Sequence, residues 1–172
     1  MPDSSIKLIT RRSFVMSTVP LLALTAAGCT PSYVNTQVLG QRATGAEIKA
    51  HYSGKSVRFA YQVGGPPETE HHFAADGTFK SVHLQENIFG LGTWRIHRLP
   101  GTDKLIVKAT LYFVDRNAVS QATTQAAFVV YIQPDGSAIL DQMGRGNSEQ
   151  PKPRPGFPMA SRWNALKRKA GV

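Results

Sequence analysis

Cysteine is almost missing from this sequence: Cys29 is the single one in 172 residues. No intramolecular disulfide can form, and no zinc site built from several cysteines. Acidic residues are few, 11 against 20 Lys and Arg. A long apolar run is also lacking. The best candidate, Phe14 to Ala27, is interrupted by Pro20 and rich in small residues, too short for a confident membrane span. No Gly-x-Ser-x-Gly occurs, and Gly90-Leu91-Gly92 lacks the rest of a dinucleotide fingerprint. These absences leave no catalytic residue, no cofactor and no resident metal to name, and the expectation is a non-enzymatic protein.

What is present is an address, a neutral middle and a basic end. The formal charge of +9 is local. From Gln142 onward seven basic residues stand against Glu149 alone, whereas Cys29 to Asp141 is nearly neutral. A nucleic-acid binder would spread basic residues over a folded face, so no nucleic-acid partner is expected. The organisation that follows is residues 1–28 as a signal peptide, 29–43 as a tether, 44–143 as a β-rich domain and 144–172 as a Pro-rich basic tail.

The amino-terminal segment carries positive charge, then an apolar stretch, then small residues, which is the pattern of a targeting segment. Thr10-Arg11-Arg12-Ser13-Phe14-Val15-Met16 resembles the twin-arginine export signal, Ser/Thr-Arg-Arg-x-Phe-Leu-Lys. Thr10, Arg11, Arg12 and Phe14 match it; Val15 and Met16 depart from it. The alternative is a general secretory signal that carries two arginines. Ala26-Ala27-Gly28-Cys29 resembles a bacterial lipobox, with Ala26 where Leu is usual. That resemblance implies a diacylated Cys29 as the first mature residue; the alternative is cleavage after Ala27 with a free thiol. A free thiol is a liability in an oxidising compartment, and acylation removes it. Two acyl chains hold a protein on a membrane where one does so only marginally. The sorting rule of the lipoprotein family, with Thr30 in place of an acidic residue, implies the periplasmic side of the envelope and favours the outer over the inner membrane.

Beyond the tether, Thr44-Gly45-Ala46-Glu47 fits a capping box, with Ile48 and Tyr52 at helical spacing and Gly54 suited to a left-handed C-terminal position. This predicts a helix over 45–53. Residues 56–63 alternate, with Val57, Phe59, Tyr61 and Val63 on one face. Glu70 to Leu84 reads as a hairpin around Asp76-Gly77. A type I turn with Gly77 in a left-handed bulge would pair Phe73 with Phe79, whereas a two-residue turn would pair Glu70 with His83. The first register is preferred because it sets two aromatics on one face. Gln133-Pro134-Asp135-Gly136-Ser137 repeats the turn pattern. Gly90 and Gly92 are read as relieving crowding around Trp94. Residues 104–114 form the clearest strand, apolar on both faces; 115–124 read as a polar connection, before strands at 126–132 and 138–143. The expected fold is mainly β, an antiparallel curled sheet or small barrel of six to seven strands with a short N-terminal helix. The helix, Gly-Lys-Ser, Asp-Gly hairpin and Gly-x-Trp over Thr44 to Asp141 resemble small secreted β-rich domains of proteobacteria. Those domains bring no established activity, and the cysteine pair they often carry after the Trp is missing here.

Candidate chemistry is thin. His71 and His72 point to opposite faces of a strand. His71 and His83 share a face and would need a third ligand to hold zinc or copper; otherwise they are solvated strand histidines. Glu68, Glu70, Glu86 and Asp141 offer carboxylates, but no pair stands out. The aromatics either fill the core or line a barrel pocket. In the tail, Arg162, Trp163, Lys167, Arg168 and Lys169 on a final short helix suit contact with a membrane or an acidic partner. The expectation is a lipid-anchored envelope protein acting as a binding or assembly module, with two alternatives: a small-ligand carrier, or a metal protein using His71 and His83.

Overall fold

The computed structural model describes residues 41–60, 68–142 and 147–172. The elements in chain order are α1 (Gly45–Tyr52), β1 (Lys55–Phe59), β2 (Thr69–Phe73), β3 (Thr78–His83), β4 (Ile88–His97), β5 (Lys104–Val114), β6 (Val119–Ile132), β7 (Ala138–Asp141), β8 (Asn147–Gln150), β9 (Arg154–Pro155) and α2 (Ala160–Ala170). All the strands join one antiparallel sheet in the order β8-β7-β6-β5-β4-β3-β2-β1-β9. It curls into a half-barrel.

Local chemistry sets the elements. The Thr44 hydroxyl accepts from the Glu47 backbone N–H, and the Glu47 carboxylate accepts from the Thr44 N–H at 2.7 Å, which completes the capping box at α1. Gly54 takes φ +73° just past the helix. Phe73 pairs with Phe79 across β2 and β3, the register expected from the aromatics, and the two rings meet at 5.3 Å. Both Asp-Gly turns are built alike: Ala74 N–H donates to Thr78 O and Gln133 N–H to Ser137 O, each at 2.9 Å. Gly77 and Gly136 hold the positive φ, and Asp76 and Asp135 each accept the N–H two residues on at 2.8 Å.

The sheet has nine strands, not six to seven. The two additional strands come from the segment read as a tail: β8 pairs with β7, and the two-residue β9 pairs with β1. β9 contains Pro155 and follows Pro151 and Pro153, yet proline is tolerated on an edge strand. The sheet therefore runs past the expected domain end at 143. Residues 119–124, read as connection, are strand as well and pair with β5 along their length. They are mostly polar or small and are exposed on both faces, so no alternation betrayed them. Residues 61–67, which include the expected strand positions Tyr61 and Val63, lie outside the described residues.

The sheet buries both faces. On the inner face Ile48 and Tyr52 of α1, both fully buried, pack with Val57, Phe73, Phe79, Trp94 and Leu105. On the outer face Trp163 and Leu166 of α2 pack with Val82, Phe89 and Val114. The curl has a source at the centre of β4. A Cβ on Gly92 would overlap the Lys108 carbonyl and Ala109 Cα, and one on Gly90 would overlap Ser81 Oγ and Leu111 Cδ2. The glycines thus let β3 and β5 close on β4 from the inner side. They do not serve to make room for Trp94, which is fixed separately by its indole N–H donating to Ala74 O at 2.8 Å.

Candidate functional site

Strand alternation and register bring one set of side chains into the hollow of the half-barrel. Phe59, His71, Phe79, Leu105, Phe128 and Leu140 are among the residues that line a cleft of about 260 Å³ there. Its walls are mainly apolar, and its polar groups are few: His71, Ser81, Thr124, Gln142 and Gln150. An apolar hollow with a small number of placed polar groups is the usual form of a small-molecule site.

His71 is clamped between aromatics. Its ring stacks on Phe59 at 5.4 Å and meets the edge of Phe79 at 5.2 Å, and its Nε2 shares a hydrogen bond with the Thr69 hydroxyl at 3.3 Å. Burial disfavours the imidazolium and pushes its pKa down to about 4. It enters the cleft as a neutral donor or acceptor. Gln150, at the other wall, is held by the Tyr52 hydroxyl, which donates to Oε1 at 2.7 Å. Burial in turn raises the Tyr52 pKa, so this phenol stays protonated.

A second hollow of about 250 Å³ shares Ser81 and Leu111 with the first and adds Glu68, Thr69, His83, Glu86, Ile88 and Phe113. His83 Nδ1 accepts from the backbone N–H of Glu86 at 3.0 Å, which leaves the proton on Nε2. Nε2 faces Glu68 and Glu86 at 3.9 Å each. His83 thereby pins the 84–87 loop through Nδ1, with Nε2 turned toward the two carboxylates. Among the described residues no group of three or more His, Cys, Asp and Glu side chains is placed to hold a metal. His71 and His83 share a face as expected but bond to different partners.

The other candidates separate. Glu70 is buried on the outer face, where its carboxylate accepts from Met159 N–H at 3.1 Å and lies 3.7 Å from Arg58. It anchors α2 and faces no cleft. Ser56 and His72 look like a nucleophile and base, at 3.0 Å. The Ser56 hydroxyl, however, donates to Gly156 O at 2.6 Å, so His72 must donate to Ser56. This pair, with His72 stacked on Phe157, ties the carboxy-terminal segment to β1.

Trp163 is 5 % exposed and its indole N–H donates to Gly90 O at 2.9 Å, so it belongs to the core and not to a contact surface. Arg162 donates to the carbonyls of His83, Gln85 and Glu86, and Lys167 lies 5.5 Å above the Trp163 ring. Only Arg168 and Lys169 of that expected set are exposed. Cys29, Arg11, Arg12 and Phe14 lie outside the described residues. The end of the expected tether already belongs to the fold: Ala43 is buried and donates to Val130 O at 2.8 Å.

Two buried histidines give a pH prediction. His51 is also pushed down to about 4, by burial first and then by Lys55. Both start from 6.5 in an unfolded chain. Between about pH 6.5 and 4 the unfolded chain binds more protons than the folded one, so stability is full above that window and falls as pH drops through it. The ceiling is about 3 kcal/mol per histidine, reduced by the solvent access both rings keep. Thermal melts from pH 7 to 4 will show the fall, and His71→Phe, which keeps the ring between Phe59 and Phe79, will reduce it, leaving the part due to His51.

The cleft was missed by sequence reasoning as a defined site because its walls come from seven different strands; the only signal was the aromatic set weighed there as a possible lining. Comparison of the chain with protein-family models, with curated proteins and with solved structures finds no match to any of them.

Proposed function

We propose that this chain is a non-enzymatic, lipid-anchored protein of the cell envelope, held at the periplasmic side of the outer membrane through Cys29, and that its half-barrel is a binding module for a small apolar ligand. The observation that supports the binding role is the inner cleft. Phe59, Phe79, Leu105 and Phe128 line it with apolar surface, and His71 and Gln150 stand in it as oriented polar groups. The non-enzymatic reading rests on the committed hydrogen bonds of Ser56 and His72, which leave neither poised as base or nucleophile. Arg168 and Lys169, exposed on α2, supply attraction of about 1 kcal/mol each to an anionic surface.

Two measurements test the two halves. Radioactive palmitate enters the wild-type protein in its host and not the Cys29→Ala variant; equal labelling rejects the anchor. A fluorescent fatty acid titrated into the protein gains intensity, and Ala126→Trp, which fills the cleft from β6, weakens binding by about tenfold or more, 1.4 kcal/mol. Unchanged binding in that variant rejects the cleft as the site.

A further inference from the structure

Among the described residues, the outer edge of β6 has backbone that no strand pairs. β7 pairs only with Val129–Ile132, while Val119–Phe128 pairs with β5 on one side and, among the described residues, with no strand on the other. The direction of each backbone group follows from the turn. Asp115 N–H donates to Ala118 O at 2.9 Å, so in an antiparallel ladder Ser120, Ala122, Thr124 and Ala126 direct their N–H and C=O groups to β5. Val119, Gln121, Thr123, Gln125 and Ala127 direct theirs outward. The far hairpin agrees: Gln133 N–H turns to Ser137 O, and Val130 O turns the other way to accept from Ala43.

An open edge of this length is a template for another strand, and folded proteins guard such edges with charge, proline or shortness. This chain guards its other edges so. β9 is two residues long, with Pro151, Pro153, Pro155 and Pro158 in and around it and Lys152 and Arg154 between them. β8 is four residues and carries Glu149. By contrast, Val119-Ser-Gln-Ala-Thr-Thr-Gln-Ala-Ala-Phe128 contains no proline and no charge, in a chain of net charge +9, and residues 119–125 are exposed on both faces.

We infer that this edge pairs with the same edge of a second copy of the chain, antiparallel, about a two-fold axis at Thr123. That register sets Thr123 against its own counterpart and Gln121 against the second copy's Gln125. The axis runs perpendicular to the sheet, so inner face continues inner face. No like charges are opposed, and Thr–Thr and amide–amide neighbours are favourable cross-strand pairs. A foreign strand would find no charge on this edge to select it, whereas the self-pairing register matches Thr123 with itself and Gln121 with Gln125 on both sides of the axis. The interface is isologous and closes at two copies.

Sedimentation of the full chain, under reducing conditions to exclude Cys29 disulfides, will show twice the chain mass at high concentration and dissociation on dilution. Thr123→Lys sets two like charges at the axis and gives a monomer with an unchanged circular dichroism spectrum. In a Cys29→Ser background, Thr123→Cys cross-links into covalent dimers under mild oxidation, while Arg95→Cys, exposed on β4, does not. A chain that stays monomeric and does not cross-link overturns the inference, as does a dimer that survives Thr123→Lys. So does a monomer that takes up an extended peptide of foreign sequence along β6.

Discussion

Replacing Trp163 with alanine is expected to destabilise the domain by about 3–5 kcal/mol, the range for removing a large buried aromatic. Its indole fills the outer-face cluster with Val82, Phe89, Val114 and Leu166, meets Phe89 edge-on at 5.8 Å and bonds Gly90 O. Lys80 and Lys167 lie over the ring at 5.0 and 5.5 Å, and that attraction goes too. Urea unfolding read by far-ultraviolet circular dichroism measures the loss. A surface tryptophan would change stability by no more than about 0.5 kcal/mol, so the experiment separates a docked α2 from a free tail. Trp163→Phe keeps most of the packing but cannot donate to Gly90 O, and is expected to cost about 1 kcal/mol beyond the lost area.

Gly92→Ala is expected to cost about 3 kcal/mol, at the upper end for overpacking. The atoms its Cβ would meet, the Lys108 carbonyl and Ala109 Cα, are backbone of the neighbouring strand and cannot rotate away. Relief requires β4 and β5 to separate on the inner face, which opens the curl and with it the cleft walls at Val107 and Ala109. Gly90→Ala is the control. Its Cβ would meet the ends of Ser81 and Leu111 side chains, which have other rotamers, so the loss is smaller. Thermal melts of the two variants will rank Gly92→Ala below Gly90→Ala.

Much of the fold was legible because short-range chemistry decides it. Thr44 and Glu47 cap a helix by reaching over one turn. Asp76-Gly77 and Asp135-Gly136 make their turns from their own side chains and φ preferences. The pairing of Phe73 with Phe79 follows from the turn and from which face carries the aromatics. Legibility failed where partners are distant. β9 exists because Ser56 and Lys55 of β1, about a hundred residues earlier, supply its ladder, and nothing within Arg154-Pro155 announces that. Trp163 among basic residues reads the same on a free amphipathic helix as on a docked one; Val82, Phe89 and Val114 make the difference. His71 and His83 shared a face as read, but which atoms each ring bonds depended on Thr69, Glu68 and Glu86.

By itself, then, the sequence determined the class of fold, the turns that set the hairpin registers and the uneven spread of charge, since each depends on residues close together in the chain. Tertiary structure alone decided that Trp163 and Leu166 of the basic end are core, that two glycines curl the sheet by letting strands approach, and that side chains from β1, β2, β3, β5, β6, β7 and β8 meet in one cleft. Those facts depend on contacts between residues far apart in sequence, where burial and backbone approach, rather than local preference, set the outcome.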